Sequence, residues 1–398
     1  MRDASSRGSV LVAAVAIASF VGLGLGDAML GVAWPSIAGE LAQPIGALGL
    51  VTAASSIGYV AATVLHGRIL RRVPLRNLLI AALSGMAVGA LAVASSPAFG
   101  VLLLAAMLIG LGGGSLDAGV NGFLAVNRGP RLLHLVHAGY GAGTTFGPLL
   151  VAAALSLASW RTAYLAAAVL DVLLLLLVLA VGTGWRSSPA SAADPAADHS
   201  AAAARRAAEE PTQAARSATP LFVGLILLYV AGEATAGQWS FSVLTLAGGM
   251  DPAAASLWVA SFWAAFTFGR VVAGAVSTRV SLGLLLLGGP LLAVIGLAWL
   301  AADPFGAGAI GLPLAGFGFA PVFSSVVLLT TRVLGPRRAP TVIGYQLAGS
   351  SVGYAGASLL AGVLADSVGL GVVPIFLAAL ATALLAALFV TLRRFDVA

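Results

Sequence analysis

Four carboxyl groups stand where water cannot easily solvate them: Asp27, Asp117, Asp171 and Glu233 each lie inside a long apolar stretch. An ionised Asp at the centre of a membrane helix costs roughly 2.5–3.5 kcal/mol on insertion scales. Such a group faces a cavity, finds a partner, or sheds its charge by taking up a proton. Asp117 carries the sharpest pattern, Gly112-Gly113-Gly114-Ser115-Leu116-Asp117-Ala118-Gly119-Val120-Asn121. Four residues is one helical turn, so Asn121 shares the face of Asp117 and adds an amide to an ionisable acceptor. That pair either binds and moves a proton or stitches its helix to a neighbour. Asp27 follows a run of small residues and precedes Trp34-Pro35, as a coupling acid or as an outer-gate hydrogen bond. Glu233 stands one turn before Gly237-Gln238-Trp239. Carboxylate, amide and indole together suit a polar ligand, the ring stacking on a sugar face; the same Glu between Gly232 and Ala234 could instead hold an interhelical contact. Asp171, in a leucine-rich setting, reads as an interhelical hydrogen bond. His134 and His137 are three residues apart, but no third ligand is adjacent, so no metal site is expected. His137 is a candidate gate.

The elements that hold these residues are twelve apolar stretches, predicted as helices over 10–34, 45–66, 76–95, 98–126, 135–157 and 162–183, then 220–246, 253–276, 282–301, 305–333, 340–363 and 370–392. A span of hydrocarbon needs about 20 apolar residues, and twelve of them occupy nearly all of the 398 residues. The chain is 60% hydrophobic and 9% charged, against roughly 25% charged for soluble domains. All twenty cations are arginine, and nineteen fall on one side when the gaps are counted alternately; Arg161 alone falls on the other. Cytoplasmic loops retain cations during insertion, so the expectation is a multi-pass protein of the cytoplasmic membrane with both termini inside. The long glycine-rich stretch after Arg7 reads as a first span, not a cleaved leader.

Several classes are excluded. The net charge of +6 is spread over separate loops, so it marks topology and anionic headgroups, and no nucleic-acid partner is expected. With no cysteine, thiolate chemistry and disulfides are impossible. The Gly110–Gly114 run lacks the Lys of a phosphate loop, and no Gly-x-Ser-x-Gly elbow sits between strand and helix. No enzyme and no cofactor are expected; the partners are a small-molecule cargo, protons and the lipid bilayer, and the chain is expected as a monomer.

Residues 184–219 form the only long polar segment and read as a cytoplasmic linker between halves at 1–183 and 220–398. The halves echo each other. Gly67, Arg72, Val73 and Leu75 recur 207 residues later as Gly274, Arg279, Val280 and Leu282, and Gly110-Leu111-Gly112 recurs 206 later as Gly316-Phe317-Gly318. Internal symmetry of this kind marks secondary transporters, with the site near mid-membrane where the halves meet.

On these residues the chain resembles the major facilitator superfamily. The loop Gly67-Arg68-Ile69-Leu70-Arg71-Arg72-Val73-Pro74-Leu75-Arg76 is similar to that family's cytoplasmic loop, with Arg71 in place of its Asp and Pro74 in place of its Gly. Its partner keeps Gly274 and Arg279 behind Gly269-Arg270, with Thr278 where the acid would stand. Three segments resemble the fucose permease group: Leu116–Asn121, Leu135–Gly141 with Gly147-Pro148, and Glu233 with Gln238-Trp239 leading to Ser261-Phe262-Trp263. The resemblance implies an all-α membrane fold of two six-helix halves working by alternating access, with a cavity lined by helices 1, 4, 7 and 10. It implies proton coupling at Asp117, with Asp27 and Glu233 contributing, and cargo at Asn121, Gln238 and Trp239. Tyr345, Gln346 and, beyond them, Tyr354 are further cavity candidates. Arg68, Arg72, Arg270 and Arg279 would gate with His137. Symport of a small polar solute such as a sugar is the leading expectation; proton-antiport export of drugs or metabolites is the alternative.

Overall fold

In hydrocarbon each backbone N–H and C=O must find its partner within the protein, and a helix does this within one segment. The long runs of Ala, Leu and Gly therefore fold as helices. The computed structural model describes residues 2–127, 130–185, 213–303 and 306–395. Twelve helices long and apolar enough to cross a membrane occur among them. They are α1 (Arg2–Glu40), α2 (Leu48–Leu70), α3 (Leu75–Ala94), α4 (Phe99–Asn127), α5 (Pro130–Leu157) and α6 (Trp160–Val181), followed by α7 (Gln213–Ser242), α8 (Pro252–Val276) and α9 (Leu282–Ala302). The last three are α10 (Gly308–Gly335), α11 (Arg337–Ser367) and α12 (Val372–Phe395).

Most boundaries fall within a few residues of expectation, and the departures have physical causes. The expected stop at Trp34 is no stop: α1 runs through Pro35 to Glu40. Similarly, α7 begins at Gln213 and carries Pro220 within it. Proline does not end a membrane helix when neighbours re-satisfy the freed carbonyl. A turn of π-helix, Val243–Ala247, finishes α7. Between α10 and α11 the backbone breaks at Gly335, whose φ of 74° only glycine adopts without strain. The expected linker lies for the most part, at 186–212, outside the described residues, as does Arg128.

The chain forms two compact units, one of Met1–Gln43 with Val51–Ala202 and one of Pro44–Leu50 with Ala203–Ala398. In the first, α1 packs on α5, and α3 on α4 and α6. In the second, α7 packs on α11 and α12, and α9 on α10 and α12. The duplication read from sequence is visible as repeated contacts. A Cβ on Gly110 of α4 would collide with the Ser55 carbonyl of α2, and one on Gly112 with the Ala82 carbonyl of α3. In the second unit a Cβ on Gly316 of α10 would collide with the Phe262 carbonyl of α8, and one on Gly318 with Gly289 and Ala293 of α9. Ser55 and Phe262 are 207 apart, as are Ala82 and Gly289. Small residues that let helix backbones touch are how membrane helices pack without a hydrophobic driving force.

Arg161, the exception to the sorting of arginines, is fully engaged at the start of α6. Its Nη2 donates to Glu40 Oε1 at 2.6 Å and to the Ser96 carbonyl at 3.2 Å, and its Nη1 donates to the Ala94 carbonyl at 2.6 Å. The guanidinium lies 4.4 Å above the Trp160 ring, whose Nε1–H donates to Glu40 Oε2 at 2.8 Å. One cation thus ties the ends of α1 and α3 to α6.

Candidate functional site

In the first unit, α2, α4, α1 and α5 bring two acids into a network with two tyrosines. Asp117, partly exposed on α4, accepts from Tyr59 Oη of α2 at 2.5 Å and from Asn121 Nδ2 at 2.7 Å. The one-turn spacing read from sequence thus forms a direct bond. Asp27 of α1 accepts from Tyr140 Oη of α5 at 2.9 Å. Although mid-helix, Asp27 is exposed, as a group lining an opening would be. The two carboxyls feel each other, and His66 and His137 lie within electrostatic reach of Asp117. His137 meets the edge of Phe20 with 5.5 Å between ring centres. The Asn121 Oδ1 is buried without a partner, as is His66 Nδ1.

Each acid thus sits against hydroxyl or amide donors, and no arginine among the described residues pairs with it. A tyrosine hydroxyl can donate to a carboxylate or accept from a protonated carboxyl. The arrangement therefore accommodates either protonation state without a change of partner. Tyr59 was invisible to reasoning from acids alone; a lone tyrosine one turn after Ser55-Ser56 in an apolar span is the signal that could have found it. Tyr140 lies within the Leu135–Gly141 segment, yet nothing in the sequence pairs it with Asp27.

The second unit is organised differently. Gln238 is buried, accepts from Ser358 Oγ at 2.7 Å and donates to Tyr354 Oη at 3.2 Å. Trp239 is fully buried and donates Nε1–H to the same Ser358 Oγ at 3.1 Å. Gln238 and Trp239 are brought together by α11, where both bond to the Ser358 hydroxyl. Gln346 is also buried, donating to the Phe222 carbonyl at 3.1 Å and to Thr330 Oγ1 at 2.9 Å. Its neighbour Tyr345 is 56% exposed, because adjacent helical residues point about 100° apart, so the two do not share a site.

Glu233 and Tyr229 on α7 lie within electrostatic reach of Arg270 on α8, with no salt bridge between Glu233 and Arg270. Arg68, Arg72 and Arg279 are exposed at the ends of α2 and α8, whereas Arg270 lies inside a span. Asp171, expected to bridge helices, is 5% exposed and makes no hydrogen bond to a described residue. Among the described residues no three His, Asp or Glu side chains converge as a metal site would require.

A further correspondence links the units. Gly143 of α5 packs on the Val21 carbonyl of α1, and Gly353 of α11 packs on the Leu227 carbonyl of α7. Val21 and Leu227 are 206 apart, and the same step carries Gly26-Asp27-Ala28 onto Gly232-Glu233-Ala234. Asp27 and Glu233 are therefore the same acid in the two repeats.

A description of the Major Facilitator Superfamily matches residues 16–355. The chain belongs to the Major Facilitator Superfamily. Solved structures agree in fold. A D-xylose–proton symporter superposes with a TM-score of 0.75 at 16% identity, covering 96% of each chain. A POT family transporter in complex with 5-aminolevulinic acid gives 0.75 at 12% identity over 98% of this chain and 96% of that one. A bacterial homologue of the human lysosomal transporter Spinster, inward-facing and occupied, gives 0.73 at 13% identity over 98% and 97%. No curated protein sequence matches. Membership in the superfamily makes this a multi-pass membrane transporter.

Proposed function

We propose that the chain is a proton-coupled secondary transporter that moves a small polar solute, sugars among the candidates, across the cytoplasmic membrane by alternating access. The carrying observation is the Asp117 carboxyl, held inside the span Phe99–Leu124 between Tyr59 Oη and Asn121 Nδ2 with no arginine against it. A fixed counter-ion would hold such a carboxylate charged; neutral donors leave it free to gain and lose a proton as its surroundings change. Asp27 with Tyr140 supplies a second such group in the same unit; Glu233, its counterpart by position in the other unit, has Arg270 within electrostatic reach instead. The D-xylose–proton symporter shares the fold, so the architecture is compatible with coupling of this kind. Sorting of the arginines supports cytoplasmic termini.

The test is flux in proteoliposomes under an imposed pH gradient, with labelled sugars and lipophilic cations, comparing wild type with Asp117→Asn. Solute accumulation driven by inward protons and lost in the variant supports the reading. Cation extrusion in exchange for protons replaces it with export, and flux indifferent to the gradient removes Asp117 from the coupling role.

A further inference from the structure

We propose that the second unit binds a carboxylate, so that the cargo is a small organic acid or an acidic sugar, with Arg270 as its anchor and Glu233 as the internal anion it replaces. Arg270 stands in the span Pro252–Val276 of α8. Arginine inside a span is rare and marks function by default. It does not escape towards the helix end. Its guanidinium folds back to 4.2 Å above the ring of Phe266, one turn deeper. It is exposed, and no carboxylate of a described residue lies within salt-bridge distance. Glu233 and Tyr229 of α7 are within its electrostatic reach. An exposed intramembrane cation with one face on Phe266 and no carboxylate within salt-bridge distance is an unfinished pair.

The surroundings supply donors. Trp263, one turn beyond Phe266 on the same face of α8, packs its indole edge on Gly237, one turn from Glu233. It is 8% exposed, and its Nε1–H is buried without a partner. Tyr229 adds a hydroxyl. Beside the Tyr229–Gln238 stretch of α7, α10 presents Phe319 and Phe323 to Tyr229, α12 presents Leu380 beside Gly232, and α11 presents Tyr354 to Gln238. Guanidinium, indole and phenol are all N–H or O–H donors, and Glu233 is the sole anionic acceptor facing them among the described residues. A ligand that completes the set brings acceptors and negative charge. A planar carboxylate does both, since the guanidinium fork matches it in two parallel bonds. A neutral sugar would leave the cation uncompensated whenever Glu233 is protonated.

The charge count also couples cargo to protons. With Glu233 ionised, Arg270 has its counter-ion inside the protein. When Glu233 takes a proton, a cargo carboxylate restores neutrality, so one proton and one carboxylate enter together. This deepens the proton-coupled reading above and rests on it for the coupling, though not for the binding.

The test is binding to the purified full-length protein, followed by thermal stabilisation and tryptophan fluorescence, without any gradient. Acetate, lactate and glucuronate are each compared with a neutral counterpart: ethanol, propane-1,2-diol and glucose. At least one acid binds and its counterpart does not. Arg270→Gln weakens that acid by about 10- to 100-fold, the worth of a hydrogen-bonded charge, and Arg270→Lys weakens it less. Wild type binds the acid better at acidic than at alkaline pH, and Glu233→Gln binds it well at both. Equal binding of neutral counterparts, no binding of any acid, or unchanged affinity in Arg270→Gln overturns the proposal. If Arg270→Gln does not fold, weaker acid binding by Glu233→Gln than by wild type overturns it. A failure of gradient-driven uptake, with acid binding intact, would instead strike the coupling alone.

Discussion

Replacing Arg161 by Ala should loosen the first unit at one end without touching its acids. The side chains of Arg161 and Glu40 are 28% and 47% exposed, so their ion pair is worth no more than about 0.2–1 kcal/mol. Stacking over Trp160 at 4.4 Å adds roughly 0.5–1 kcal/mol. The bonds to the Ala94 and Ser96 carbonyls at 2.6 and 3.2 Å would be worth about 1.5 kcal/mol or more each if dry, and about half that at this exposure. Together they come to about 2–3.5 kcal/mol. For a unit of this size that lowers the melting temperature by roughly 4–14 °C. The assay is thermal melting of the purified protein in one detergent, at one scan rate because unfolding of large proteins is seldom reversible. Arg161→Lys, which keeps the charge but not the fork, should fall between wild type and Ala. Glu40→Ala should cost less than Arg161→Ala, because it leaves both carbonyl bonds in place. Melting of Arg161→Ala indistinguishable from wild type would refute the clasp, and so would a Glu40→Ala effect as large as that of Arg161→Ala.

Gly110→Ala and Gly316→Ala should each destabilise by about 1–3 kcal/mol as overpacked helix crossings, since the new Cβ meets the Ser55 or Phe262 carbonyl. Gly122→Ala on α4, where a Cβ meets nothing within 4 Å, is the control, and equal melting of all three would remove the close-approach argument. A fluorescent reporter that folds only in the cytoplasm, fused after Ala398, should be bright, and one inserted at Ser159 should be dark. The opposite pattern would overturn the orientation drawn from the arginines.

The fold was legible because membrane physics writes it coarsely: span length and a step of 206–207 residues each register without any knowledge of contacts. What escaped were the details that depend on partners. Pro35 and Pro220 read locally as breakers, and only neighbouring helices make them tolerable. Asp117 and Asn121 were legible as a pair because both lie on one helix at a fixed spacing. Tyr59 and Tyr140 were not, since their bonds to Asp117 and Asp27 join residues 58 and 113 apart in sequence. Trp239 reads from sequence as a free stacking face, yet its ring is wholly buried and its N–H is given to Ser358, 119 residues away. Composition reveals which side chains could bind something; it does not reveal which have already been used.

The duplication gives the remaining asymmetry its meaning. Asp27 and Glu233 descend from one position, and the glycine seams on which their helices pack are repeated. Their partners are not. Asp27 takes a neutral tyrosine hydroxyl, whereas Glu233 faces an arginine whose counterpart in the first repeat is Thr63. Had packing alone preserved the acids, both would hold equivalent partners, since the same backbone approach would favour the same hydrogen bond. Divergence at the partner with retention of the acid instead separates two tasks. A carboxyl against neutral donors can change its proton without recruiting a counter-ion. A carboxyl against a cation cannot, because each proton it gains strands a positive charge in a low-dielectric setting. On the proposal above, the second repeat is the one in which proton uptake calls for an anion from outside, and Thr63→Arg should confer nothing similar on the first, where Asp117 already stands as a second acid within electrostatic reach of Asp27.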